Sequence, residues 1–138
     1  MVTTHYKAQL SRVIDPVARV FVRMGLSPSA VTLIGLGVMI LSCVFVVVTR
    51  QILVFCVLVL VASAFDALDG AVAWASGRQT KFGSYLDAVC DRYAEAVVVL
   101  AVAIVTGYWT MSLVVLVGAM LVSYTKARAA MEVPVSNL

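Results

Sequence analysis

The sequence predicts an all-α integral membrane protein: a helical bundle with four transmembrane helices and an N-terminal helix lying on the membrane surface. Three observations predict it. Apolar residues make up 63% of the chain, charged residues only 12%, and the mean hydropathy is +1.07, which is the composition of a membrane protein. A bilayer core needs about 20 consecutive apolar residues per helical span, and residues 24–49 carry no charge at all. Further apolar runs follow so closely that helices fill nearly the whole chain, and no separate soluble domain fits.

The elements follow in order. Residues 1–24 form an interfacial segment, in which Val13, Ile14, Val17, Val20 and Phe21 fall toward one side and Arg12, Arg19 and Arg23 toward another, the pattern of a helix lying along a bilayer. Pro16 predicts a break or bend within it. "LSPSAVT" reads as a turn and a helix start, with Ser27 or Ser29 as N-cap and Pro28 in the first turn. The first span, 24–49, is too long and too far from the N-terminus for a cleaved signal peptide. The second runs from Ile52 to about Ala75, the third from Gly83 to Thr106, and the fourth from Trp109 to about Ala127. Together they make a transmembrane domain over 25–138.

Basic residues set the orientation. With four spans, Lys7, Arg12, Arg19, Arg23, Arg78, Lys81, Arg92, Lys126 and Arg128 fall on one side and Arg50 on the other. The positive-inside rule makes the first side cytoplasmic in a cell membrane. The net charge of +3 suits anionic headgroups or phosphates. Basic residues that flank spans and form no basic domain argue against a nucleic-acid partner. Cys43, Cys56 and Cys90 all lie within spans, so three reduced, packed thiols are expected and no disulfide framework.

Against this background "FDALDGAVAWASGRQTKFGSYLDAVCDR", residues 65–92, is unusual for its aspartates. Asp66, Asp69, Gly70 and Ala73 stand at i, i+3, i+4 and i+7, so two carboxylates and two small residues share a helix face. Gly83, Asp87 and Asp91 do the same on the next helix, and both faces are expected to converge from adjacent antiparallel helices on one polar cavity at the cytoplasmic end. Each unpaired carboxylate in the membrane is unfavourable by roughly 2.5–3.5 kcal/mol, and Arg78, Lys81 and Arg92 lie only at the rim. A hard divalent cation, Mg2+ or Mn2+, offsets that charge and shares itself with substrate phosphates. Two ions among four carboxylates match an arrangement used for phosphoryl chemistry.

These residues resemble the signature of the CDP-alcohol phosphatidyltransferase family, D-x2-D-G-x2-A-R-x8-G-x3-D-x3-D. Asp66, Asp69, Gly70, Ala73, Gly83, Asp87 and Asp91 match at every spacing, and Trp74 stands where the family has arginine. The resemblance implies a six-helix membrane enzyme, active as a homodimer, that moves a phosphatidyl group from a CDP-linked lipid to an alcohol and releases CMP. It implies metal binding by Asp66, Asp69, Asp87 and Asp91, with Asp91 also the general base. It further implies contacts to the CDP-lipid from Asp66, Asp69, Gly70, Ala73 and Gly83, and, by position, from Ser29, Thr32 and Thr80. Arg78 is expected to replace the cation missing at Trp74, or Trp74 serves as a headgroup-level anchor. Only four of six spans are counted, so the domain over 25–138 is read as partial.

"LDAVCDR" resembles the inositol-phosphate-using branch, and "SYTKARAA", residues 123–130, is similar to its "SYxKARAE" segment. That implies an acceptor-phosphate site at Lys126, assisted by Arg128; the alternative is that both merely anchor a helix end. CDP-diacylglycerol and CDP-archaeol are both open as donor. Other readings are glycerol phosphate as acceptor, a divalent-cation transporter, or an inactive scaffold. Transport sites lie near the bilayer midplane at broken helices, unlike these aspartates. Glu95 is either a polar neighbour that tunes the site or, the favoured reading, a buried residue satisfied by a hydroxyl such as Tyr93 or Tyr124, and Gly35, Gly37, Gly107 and Gly118 are expected to serve helix contacts.

Overall fold

A computed structural model describes residue 16, residues 20–77 and residues 79–132. Nearly all of the expected interfacial helix, and Arg78, lie outside the described residues. The described part is helical throughout: α1 Pro28–Thr49, α2 Ile52–Ser76, α3 Lys81–Thr106 and α4 Trp109–Glu132. Pro16 is itself helical, and a helical turn at residues 20–23 precedes α1.

Each boundary has a local cause. Ser27 is the N-cap of α1, its hydroxyl accepting from the Ala30 amide at 3.2 Å, and Pro28 follows where a missing N–H does no harm. Ser29 is therefore inside the helix and free of the capping role. Thr80 caps α3, accepting from the Gly83 amide at 2.9 Å. Gly77 and Gly107 end α2 and α3 with φ of 62° and 78°, a left-handed conformation that glycine adopts without strain. Arg50 ends α1 at φ 58° without that freedom. Its guanidinium donates to the carbonyls of Ile104 and Val105 at 3.2 and 2.9 Å, so the closing ends of α1 and α3 are tied together.

Three helices, Pro28–Thr49, the Ile52–Trp74 part of α2, and Trp109–Glu132, are long and apolar enough to cross a membrane. The chain is that of a multi-pass membrane protein. α3 is equally long, but Lys81, Asp87, Asp91, Arg92 and Glu95 all fall between residues 81 and 95, which separates it from the other three.

α1 lies against both α2 and α3, and α4 lies against α3. The two aspartate-bearing helices are thus organised around α1 rather than chiefly against each other, as adjacency in sequence had predicted. Two apolar clusters hold α1 in place. Near the Arg50 end, Cys43, Val46, Phe55 and Ala101 are buried together; near the other end, Val31 and Val72 are buried beneath Phe21, Leu26, Phe65 and Leu68. Gly35 permits the close α1–α2 crossing, since a Cβ there would stand 2.9 Å from that of Phe65. Gly37 and Gly118 have open space beside them, and so serve no helix contact among the described residues. No residue of α4 is buried, leaving its Leu113, Val114, Leu121 and Val122 side chains exposed.

Candidate functional site

The starts of α1 and α3 and the end of α2 enclose a cleft of about 160 Å3. Pro28, Ser29 and Thr32 line it from α1, Asp69, Gly70 and Ala73 from α2, Gln79 and Thr80 from the connection, and Gly83, Ser84 and Asp87 from α3. The expected Ser29, Thr32, Asp69, Gly70, Ala73, Thr80, Gly83 and Asp87 therefore all meet at one place. Trp74 is not among the lining residues and is 76% exposed, as an outward-facing ring at a helix end would be. A Cβ on Gly70 would meet nothing within 4 Å, so this glycine keeps the cleft open instead of serving packing. Gly83 is closer set: its Cβ would lie 3.1 Å from the Thr80 hydroxyl and 4.0 Å from that of Ser29.

Not all four aspartates line this cleft, contrary to the single shared cavity expected. Asp66 lines a small adjoining cavity of about 10 Å3 with Thr32, Gly35 and Cys90, and Asp91 is exposed. Helix geometry explains the split. α2 enters the connection and α3 leaves it, so Asp66 stands three residues before Asp69 and Asp91 four after Asp87. At 1.5 Å per residue both lie about 4.5–6 Å deeper along the bundle. The carboxylates thus form two layers, Asp69 with Asp87 and Asp66 with Asp91, and each layer lies in the other's electrostatic field.

Asp69 is the most enclosed of the four, only 6% exposed. The Thr32 hydroxyl donates to its Oδ2 at 2.5 Å. The ion pairs among the described residues join Arg92 to Glu95 and Arg128 to Glu132, so none of them neutralises an aspartate. Among the described residues no three His, Cys, Asp or Glu side chains are closed to metal-binding distance. The donor chemistry nevertheless fits a hard divalent cation: carboxylate oxygens from two helices, in no ion pair among the described residues, bordered by hydroxyls.

A second cavity, about 310 Å3, lies between α3 and α4 and is lined by Arg92, Glu95, Gly118, Ala119, Val122, Ser123 and Lys126. Lys126 is where the sequence predicts an anion site; Arg128 is not, being paired with Glu132 at 2.5 Å along α4. Glu95 is held by Arg92 at 2.5 Å rather than by Tyr93 or Tyr124, which are 62% and 66% exposed. The sequence reads Glu95 as either a polar neighbour of the site or a buried residue, and Arg92 only as a rim residue; their i, i+3 spacing of opposite charges is visible there. Cys43 and Cys90 are buried as expected; Cys56 is exposed, not packed.

The sequence family described as CDP-alcohol phosphatidyltransferase matches residues 25–137. The phosphatidylinositol phosphate synthase of Corynebacterium glutamicum is 32% identical over 93% of this chain and 62% of its own length. The archaetidylinositol phosphate synthase of Pyrococcus horikoshii is 30% identical, over 89% of this chain and 65% of its own. The chain thus spans less than two thirds of these curated relatives. Crystal structures of Mycobacterium tuberculosis phosphatidylinositol phosphate synthase, one with CDP-DAG bound and one with manganese and citrate, each superpose with a TM-score of 0.80 at 30% identity. They cover 88% and 86% of this chain, and 65% and 60% of theirs. A match across the whole helical region settles the kinship: the chain belongs to the CDP-alcohol phosphatidyltransferase family.

Proposed function

We propose that this protein transfers a phosphatidyl or archaetidyl group from a CDP-linked lipid to a phosphorylated alcohol, inositol phosphate, releasing CMP. The observation that carries the reading is the cleft in which Asp69 and Asp87 meet Ser29, Gly70 and Thr80, at the same end of the bundle as the cavity holding Lys126. In this reading α3 is the fourth span, and the cleft faces the cytoplasm, where the positive-inside rule puts Lys81, Arg92 and Lys126. The protein acts as a homodimer.

Asp66, Asp69, Asp87 and Asp91 would hold one or two Mg2+ or Mn2+ ions. Such an ion supplies neutralisation of the carboxylates and of the pyrophosphate oxygens. Gly70 and Ala73 let the pyrophosphate approach the α2 backbone, because neither places a large side chain in the cleft. Ser29 and Thr80 offer hydroxyls to the nucleotide, and Arg78 is assigned to the donor phosphate. Asp91, exposed on α3, takes the proton of the alcohol as its oxygen bonds to the phosphorus bearing the lipid; the phosphorus–oxygen bond to CMP breaks. Lys126 binds the acceptor's phosphate by a charge-assisted contact.

Support comes from the names of the relatives on both donor types and from the CDP-DAG and manganese in the superposed structures. The test is CMP release from a CDP-lipid by the protein in nanodiscs with inositol phosphate and Mn2+. CMP release that stops with EDTA and returns with added metal is the expected result; release unaffected by EDTA contradicts it.

A further inference from the structure

Thr32 stands in the cleft beside the positions given to the nucleotide, yet its hydroxyl has two protein acceptors. Oγ1 lies 2.5 Å from Oδ2 of Asp69 and 3.2 Å from the carbonyl of Pro28, one helical turn back. A hydroxyl has a single proton to give. The shorter contact, to a carboxylate, is the stronger by its charge, so the proton goes to Asp69 and the Pro28 carbonyl is only the weaker, alternative acceptor. Thr32 is 5% exposed and Asp69 6%, so water does not compete well for either. Asp69 also lines the cleft. One of its oxygens is therefore engaged by α1, and turning the carboxylate away would break that hydrogen bond.

We propose that Thr32 is a positioning residue: it holds Oδ2 of Asp69 so that the other oxygen is presented to the cation in the cleft. This deepens the reading of the cleft as a metal site and rests on it. The fold explains why such a clasp is needed. Asp69 sits on α2, Asp87 on α3, and α1 is the helix packed against both. A hydroxyl on α1 is thus the place from which a carboxylate on α2 can be set relative to one on α3. Partners of this kind, one shell behind a ligand, change metal affinity by about 10- to 100-fold when removed.

The experiment is Mn2+ binding by electron paramagnetic resonance on the purified protein in nanodiscs without nucleotide, for wild type, Thr32→Val and Thr32→Ser, with thermal stability and CMP release measured on the same samples. Thr32→Val keeps the shape and removes the donor; it is expected to weaken Mn2+ binding about 10-fold or more and to lower kcat. Thr32→Ser should restore both to within a few-fold of wild type. Should the valine variant not fold, Thr32→Cys, a weak donor of serine's shape, is compared with Thr32→Ser in its place. Unchanged Mn2+ affinity in the valine or cysteine variant, with only the KM for CDP-lipid raised, overturns the positioning role and returns Thr32 to the nucleotide. A wild-type protein that binds no Mn2+ saturably overturns the metal site itself, and this proposal with it.

Discussion

Asp69 and Asp91 carry equal formal charge but stand in different surroundings, and their substitutions should separate accordingly. Asp69 is enclosed and clasped by Thr32; Asp91 is exposed in the deeper layer. Asp91→Asn is expected to reduce CMP release by at least about 100-fold, the lower range for loss of a general base, with CDP-lipid binding retained. Asp69→Asn should weaken binding of metal and nucleotide together. Calorimetric titration with a CDP-lipid beside the CMP assay distinguishes them, and equal binding losses in both variants would remove the separate base role. Gly70→Val tests the cleft as a space: a side chain there meets no neighbour, so CDP-lipid binding should fall sharply.

At this scale much was legible. The spacing of Asp66, Asp69, Gly70, Asp87 and Asp91 alone locates the site, because a helix turns fixed spacings into shared faces. Depth was less legible, since four residues on two facing stripes still occupy two layers. Lys126 and Arg128, given together to the acceptor phosphate, stand apart because residues two apart on a helix do not face the same way. Lys126 turns to the α3–α4 cavity and Arg128 to Glu132.

Among elements, the decisive feature is α1 as the helix that both aspartate-bearing helices share. Hydropathy finds each helix, and local residues offered Ser27 as one of two caps for α1, whereas the cap at Thr80 was not read from the sequence. Hydropathy does not say which helix packs on which, because lipid tails and helix partners ask for the same apolar surface. The glycines of α1 make the point measurable. Gly35 and Gly37 look alike in sequence, but a Cβ at Gly35 would press on Phe65 at 2.9 Å while Gly37 borders open space. Gly35→Ala should destabilise by about 1–3 kcal/mol through overpacking. Gly37→Ala should be neutral or stabilising by about 0.5–1 kcal/mol, as a helix interior glycine is replaced. Thermal unfolding in detergent of the two variants checks this, and equal effects would mean that α1 and α2 do not cross at Gly35.

For the whole molecule, the described helices gather their polar chemistry at one end. The cleft opens between the starts of α1 and α3 and the end of α2, and Lys126 lies in the neighbouring cavity against the charged half of α3. The far end is held by apolar packing and by Arg50 donating to Ile104 and Val105. No residue of α4 is buried, which agrees with a bilayer as its surroundings. The central claim is that the donor cleft and the Lys126 cavity serve one transfer to a phosphorylated alcohol. Its direct measurement is CMP release in nanodiscs with a CDP-lipid, Mn2+ and, in turn, inositol phosphate, inositol, glycerol phosphate and serine, for wild type and Lys126→Ala. Inositol phosphate should be the preferred acceptor, and Lys126→Ala should raise its KM by about 10-fold or more, as when a charge-assisted bond of roughly 1.5–3 kcal/mol is lost, with the KM for CDP-lipid little changed. Preference for serine or free inositol, or an unchanged KM for inositol phosphate in Lys126→Ala, would contradict the account.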